Sequence, residues 1–549
     1  MSAKVESGYQ FLPEERPLLP GAPFAPAHPL GRRLAYLAVG ICVGISTTFG
    51  NALVNANVAN LAGPMGLYVA EASWLPAIFV AINATANLAL IKARIQFGIF
   101  PVTNALLMIY AIIGLSQLAF PGFVSAALVR AASGMAAAGL ITLTIYYMLQ
   151  FFPPKLRPLG LVLAIGLPQL GTPLARMVPL DVLTMNGARG LYLIEPAVAL
   201  IILALINLRP LPPSECAKVF KSLDFVTIGL SIPAMLLLCG VIGLGRVHWW
   251  TDAPWLGVML LAALPLAVIA ILIEAHRRRP LLQMSWLGSA DILRFGVVAL
   301  LVRLALAEQT YGSVGLLTSG GLTNDQLHIL FGFVTLAMVL GIIVACLTLS
   351  QERWRLRLQI AIAALIIAAG AFIDSGATNV TRPPELYLSQ ALIGFGTTLF
   401  IGPALVFGFM RMLAKGADHF VSFVVLFSIT QNVGGLAGSA LLGSYQTIQA
   451  RAHAASLADH LLSGDPQVLQ RIQSGVGALA GIIDDPGQRG IQGAALLGQK
   501  LTAEANILAY NDVFRLVAIL AVIISGYLFY LIGWAAYCSR KKALQGVSA

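Results

Sequence analysis

Long apolar runs, each of them bounded by a short polar connection, fill nearly the whole chain. A bilayer's hydrocarbon is crossed by about 20 residues of α-helix. Fourteen runs meet that length: 34–61, 74–93, 100–120, 123–151, 159–180, 190–208, 225–245, 255–273, 292–317, 327–349, 358–373, 386–412, 420–442 and 513–537. The pattern predicts an all-α integral membrane protein with fourteen spans. One connection is unlike the others. Residues 444–512 carry helical periodicity broken at Ser463-Gly464-Asp465-Pro466 and at Asp484-Asp485-Pro486-Gly487, which predicts a helical hairpin or cap outside the bilayer.

Polar residues inside the runs are few, so each one needs a reason. The first run contains FGNALVNANVAN, in which Asn51 and Asn55 share a helical face and Asn57 and Asn60 form a second pair. Hydrocarbon offers carboxamides no partners, so this helix belongs inside a bundle. Two roles remain open: hydrogen bonding between helices, or lining a polar substrate path.

Composition sharpens the class. Of 549 residues, 58% are hydrophobic and 10% charged, with mean hydropathy +0.84, against roughly 25% charged in soluble proteins. A net charge of +11 raises the question of nucleic acid, but the cations' positions answer it. Arg32–Arg33, Lys92–Arg94, Lys155–Arg157, Arg209 with Lys218 and Lys221, Arg277–Arg279, Arg353–Arg357, Arg411–Lys415 and Arg540–Lys542 all fall on alternate connections. The other connections hold Glu71, Asp181, Asp252, Asp325 and Glu385. By the positive-inside rule both termini are cytoplasmic, with residues 1–33 and 538–549 as tails. The first twenty residues lack the basic-then-apolar form of a cleavable signal and read as disordered. Five scattered cysteines imply no disulfide framework or metal site.

Ionisable groups at membrane depth cost roughly 2.5–3.5 kcal/mol each on insertion scales. Arg130 sits a third of the way along the fourth run, where a carboxylate or a substrate anion could meet it, or where it could bond helix-end carbonyls. In LVRLALAEQTYG, Arg303 and Glu308 lie about 140° apart around one helix, so each needs a partner elsewhere. Glu308 and Glu195 are the candidates for a titrating carboxylate, with a solvated interfacial Glu195 as the plainer alternative. Arg176 could pair with Asp181 or Glu195 in a structural role. Asn51, Asn55, Asn83, Asn87, Gln169, Gln309, Gln431 and Asn432, with Trp74, Tyr146 and Phe395, are the candidate cavity lining.

Several strings resemble the fourteen-span drug:proton antiporters of the major facilitator superfamily (EmrB/QacA type). NALVNANVANLAGPMG resembles the first-span pattern through Asn55 and Ala62-Gly63. LVRAASGMAAAG resembles the fourth-span motif through Arg130, Gly134 and Gly139, and GLPQLGTPLARM the fifth-span motif through Gly171 and Pro173. TQNVGGLAGSALLG and EANILAYNDVFRL match the last two spans. The sequence departs from the pattern as well. Gly50 stands where the family carries an Asp tied to proton coupling, and IKARIQFGIFPV lacks the acid of the loop after span two. Arg176 replaces a glycine, and Glu195 an asparagine.

The resemblance implies a six-helix half at 34–208, two extra spans with their linkers at 209–290, and a second six-helix half at 291–537. Glycine runs such as GFGTTLFIGP and GGLAGSALLG would let these halves approach and rock, and Pro403 is expected to kink its helix. The function implied is proton-coupled export of drug-like or amphipathic compounds from a bacterial inner membrane, without a cofactor. The 444–512 segment would dock a periplasmic adaptor, cover the bundle or lie on lipid. The alternative is a facilitator or exporter of an anionic metabolite without proton coupling, favoured by Gly50 and the embedded arginines. ATP drive has no P-loop to support it. An enzyme would need a converging constellation at membrane depth, and all seven histidines lie in tails, loops or span ends.

Overall fold

The computed structural model describes residues 12, 15, 17, 21–277, 280–350, 352–416, 419–461 and 465–546, with side chains left undescribed at 353 and 539–546. Most of the first twenty residues, Arg278–Arg279 and Arg540–Lys542 therefore lie outside the described residues or side chains, as do Ser463 and Gly464 of the turn at 463–466.

Sixteen helices organise the chain. The first six are α1 (Leu30–Ala62), α2 (Trp74–Phe97), α3 (Ile99–Ala119), α4 (Phe123–Phe151), α5 (Arg157–Gly166) and α6 (Arg189–Leu208). A 3₁₀ turn, Leu167–Leu170, and a short helix, Gly171–Arg176, prolong α5. Then come α7 (Ser222–Gly245), α8 (Pro254–His276), α9 (Ala290–Ala305) and α10 (Glu308–Ser319). The last six are α11 (His328–Leu347), α12 (Arg353–Asp374), α13 (Tyr387–Leu413), α14 (Phe420–Asp459), α15 (Pro466–Ala478) and α16 (Pro486–Gly546). Thirteen helical segments are long and apolar enough to cross a membrane.

The shortfall from fourteen has one source. The expected span 292–317 is not one helix: the chain turns at Leu306–Ala307, ending α9 and starting α10 at Glu308. Both pieces still run alongside α14 over one length, since Phe295 meets Phe423, Arg303 meets Gly434 and Tyr311 bonds Gln446.

Packing repeats between the first six helices and the later set. In the first bundle α2 packs on α4, and α3 on α4 and α6; in the second, α11 packs on α13, and α12 on α13 and α16. The bundles meet where α2 crosses α14 and where α5 crosses α11 and α13. Glycines permit these crossings: a Cβ on Gly166 or Gly402 would strike Ile342 or Val162 of the opposite bundle. The chain stays helical through Pro403. α7 lies against α2 and α14 and carries α8 on its side.

The face where α1 begins is called here the terminal face, and the opposite one the loop face. At the terminal face Asp224 of α7 receives Lys92 of α2 at 2.6 Å and Arg277 at 2.9 Å, while Arg277 also holds Glu274 of α8 at 2.7 Å. The acid missing from the connection after α2 is thus supplied from α7. The chain preceding α1 is built in as well. Phe24 is buried, its carbonyl accepting Gln150 Nε2 and its N–H bonding Pro213 O.

At the loop face the segment expected as a separate hairpin consists mostly of continuations of the flanking helices: α14 runs unbroken to Asp459, α16 begins at Pro486, and α15 packs on α16. His453 Nε2 contacts Asp512 Oδ2 at 2.7 Å and Gln446 Nε2 donates to Asn506 Oδ1 at 2.9 Å between α14 and α16.

Candidate functional site

Three sites emerge from the interior. The first is a cavity of about 1160 Å³ between the two bundles. The first bundle contributes Asn87, Gln169 and three threonines, Thr48, Thr142 and Thr172. The second contributes Arg303, Gln431, Asn432 and a wall of Phe409, Phe420, Phe423 and Phe427. Among the described residues Arg303 is its only charged lining residue; Arg303 Nε donates to Gln431 O at 3.0 Å. Among the described residues no carboxylate comes within ion-pair distance of this guanidinium. Asn87 Oδ1 is buried without a partner.

A neighbouring cavity of about 1270 Å³ shares Leu161 and Phe409 and runs to the terminal face past Arg157, Leu413 and Ala22. The loop-face end is latched. Asn324 Nδ2 donates to Asn57 Oδ1 at 2.6 Å and to Ala56 O at 3.2 Å. Arg176 Nη1 donates to Asn324 Oδ1 at 3.4 Å, and Leu180 N to Asp325 Oδ1 at 3.1 Å. Arg176 therefore pairs with neither Asp181 nor Glu195, but stacks on Phe331 and holds the opposite bundle.

The second site is a buried ion pair. Arg130 of α4 meets Glu195 of α6, each side chain 3% exposed, and Arg130 Nη1 also points at Gly50 O, 3.5 Å away. Glu195 is thus not interfacial. A pocket of about 320 Å³ touches it between α1, α3, α4 and α6. A Cβ on Gly50 would lie 3.7 Å from Glu195 Oε1 and 3.2 Å from the Tyr110 hydroxyl. The space where a first-helix carboxylate would sit is filled by a carboxylate from the sixth span.

The third site stands at the helix break. Glu308 opens α10, fully buried, and Asp374 closes α12, 1% exposed. Gln390 Nε2 on α13 donates to both, at 3.1 Å to Glu308 Oε1 and 2.6 Å to Asp374 Oδ2. Glu308 Oε2 and Asp374 Oδ1 are buried with no partner, and no cation lies within ion-pair distance among the described residues. Asp374 was missed in the sequence because it ends an apolar run, where acids are normally solvated.

The remaining candidates do not line this cavity. Asn83 Nδ2 bonds Gly134 O at 3.1 Å, joining α2 to α4, and Gln309 bonds Gln390 O at 3.2 Å. Asn55 is exposed and Asn51 half-buried with its Oδ1 unpartnered. Asn57, not singled out for the cavity, does the bonding between bundles, and the backbone of α1 leaves the helical region there (φ −126°, ψ 17°).

No protein-family model matches the chain, and no curated protein matches it. Solved structures do. A study of proton dependent oligopeptide transporters describes one at TM-score 0.55 and 13% identity, covering 92% of this chain and 99% of that one. A bacterial homologue of the human drug peptide transporters PepT1 and PepT2 matches at TM-score 0.53 and 12% identity over the same shares. Both are major facilitator superfamily transporters, and this chain has their fold.

Removing one partner of a buried ion pair strands the other, at about 3–5 kcal/mol. Glu195→Gln should therefore lower thermal stability in detergent markedly. Adding Gly50→Asp to that variant should recover much of the loss, because the new carboxylate enters the vacated space beside Arg130. A double variant no more stable than Glu195→Gln alone would show that Gly50 and Glu195 do not share one site.

Proposed function

We propose that this chain is a secondary transporter that exports drug-like or amphipathic compounds by alternating access, with proton coupling. The carrying observation is the cavity between two similarly packed bundles, with a neighbouring cavity toward one face and a hydrogen-bonded latch at the other. In this reading α9 and α10 together make a fourteenth crossing, the terminal face is cytoplasmic because the basic connections lie there, and the chain sits in a bacterial inner membrane. The neighbouring cavity then lies on the cytoplasmic side of the central one.

Coupling is assigned to Glu308 and Asp374. Two carboxylates that share one amide donor, with no cation beside them, are most simply balanced by a proton. Neither lines the cavity, so proton and substrate do not compete for one carboxylate. They communicate through the helix break, since Leu306–Ala307 separates Arg303 in the cavity from Glu308 in the acid pair. In proteoliposomes with an imposed pH gradient, Glu308→Gln and Asp374→Asn should each cut gradient-driven transport at least about tenfold, while exchange without a gradient persists. Full gradient-driven transport in both variants would remove the assignment.

A second reading of the substrate has its own observation. Among the described residues the cavity's only charge is Arg303, and its other polar groups are amides and hydroxyls beside a phenylalanine wall. This favours an amphipathic anion over a cation. A charge-assisted hydrogen bond is worth about 1.5–3 kcal/mol, so an aromatic carboxylate should bind at least about tenfold tighter than its matched amide. Arg303→Gln should erase that preference. Equal binding of both by the wild type would return the reading to neutral or cationic drugs.

The hairpin formed by the ends of α14 and α16 with α15 is the proposed docking site for a periplasmic adaptor, its exposed Leu469, Ile482 and Ile491 providing apolar contacts. Deleting residues 449–499 should abolish drug resistance in cells while leaving proteoliposome transport intact. Unchanged resistance would assign the hairpin to covering the bundle.

A further inference from the structure

The second bundle carries a cleft that takes no part in the transport path. It measures about 750 Å³ and is walled by α9, α12, α13 and α16 at their terminal-face ends. Its composition is divided by depth. Arg294 in the first turn of α9, Arg357 in the second turn of α12 and Arg411 near the end of α13 lie toward the surface. Ala299, Ile360, Phe400 and Leu528 line it one to three turns deeper.

Among the described residues, the guanidiniums of Arg294 and Arg411 outnumber the one carboxylate of the lining, Asp291. Arg411 Nη1 lies 3.7 Å from Asp291 Oδ1 and bonds Asp291 O at 3.1 Å. Arg357 and Arg411 both approach the Phe407 ring, their guanidinium carbons 5.6 and 4.9 Å from its centroid. Arg294 is exposed and has no carboxylate within ion-pair distance among the described residues. The cleft also opens sideways: Leu293 and Val297, on the adjoining surface of α9, are exposed as lipid-facing residues would be.

We propose that this cleft binds an anionic phospholipid from the leaflet on the terminal face. Its phosphate sits among Arg294, Arg357 and Arg411, and an acyl chain lies along Ala299, Phe400 and Leu528. A zwitterionic lipid brings no net charge to balance the arginine excess, and a free phosphate leaves the apolar part of the cleft empty. Basic pockets between membrane helices on the cytoplasmic side are suited to such headgroups. Because α9 leads directly into the turn before Glu308, an occupied cleft would also brace the first half of the broken span.

The full-length protein in detergent, titrated with phosphatidylglycerol, phosphatidylcholine or inorganic phosphate and read by native mass spectrometry, tests this. Phosphatidylglycerol should be retained with about tenfold preference over phosphatidylcholine, and millimolar phosphate should not displace it. Each arginine near a membrane surface contributes about fivefold in affinity, so R294Q/R411Q should weaken phosphatidylglycerol about twentyfold and leave phosphatidylcholine unchanged. If that variant does not fold, Ala299→Trp, which fills the deeper part and keeps the arginines, should weaken phosphatidylglycerol instead. Equal retention of both lipids, or undiminished preference in the folded variant, overturns the proposal. Displacement by phosphate alone would make the cleft a small-anion site and overturn it too.

Discussion

A carboxylate buried among apolar helices has to be answered by a cation or a proton, and the two bundles answer it differently. In the first, Glu195 lies against Arg130 and the charge is closed within the protein. In the second, Glu308 and Asp374 share only the amide of Gln390 and each keeps one oxygen unpartnered. Removing the cation from a buried pair costs about 3–5 kcal/mol. The second bundle's acids have no such cation among the described residues, and the proposed coupling starts from that condition. The pseudo-repeat in packing thus carries an asymmetry in charge.

The position of the broken span gives that asymmetry a mechanical outlet. An unbroken helix from 290 to 319 would hold Arg303 and Glu308 in one rigid frame. The turn at Leu306–Ala307 stands between the cavity-facing piece and the acid-bearing piece. α10 is tied to α13 through Glu308 and Gln309, both of which engage Gln390, whereas α9 is tied to α14 through Arg303 and Gln431. In the proposed cycle, filling or emptying the acid pair acts on the first tie, and substrate in the cavity acts on the second.

Much of the architecture was legible from hydropathy, because a span must be long and apolar wherever it sits. The charge sites were legible only in part. Arg130, Glu195, Arg303 and Glu308 stand out as charges in greasy runs, but their partners do not follow from spacing. Glu195 looks interfacial because Pro196 and Arg189 flank it, yet its helix buries it against α4. Asp374 and Asp224 sit at the ends of apolar runs, where the usual reading is a solvated cap, and only packing shows them enclosed. Two acids missing from local motifs, at Gly50 and after α2, are replaced in space by Glu195 and Asp224. A motif read along one helix cannot detect a charge supplied by another. The asparagines of α1 misled for a related reason: Asn57, at the end buried between the bundles, makes the structural contact, while Asn51 and Asn55 miss the cavity.

The latch at the loop face has the strength such a cycle needs. It consists of hydrogen bonds from Asn324, Arg176 and Leu180, among groups that are mostly neutral. The two bonds from the Asn324 amide contribute about 0.5–1.5 kcal/mol each, and the two that involve Arg176 or Asp325 about 1.5–3 kcal/mol each, so the four hold several kcal/mol. Turning a two-state equilibrium from 1:99 to 99:1 takes about 5.5 kcal/mol, which is the same order. Arg176, standing where the antiporter motif prefers glycine, fits that scale: its contacts are amide and carbonyl oxygens and the Phe331 ring rather than a carboxylate. It orients the closure without locking it.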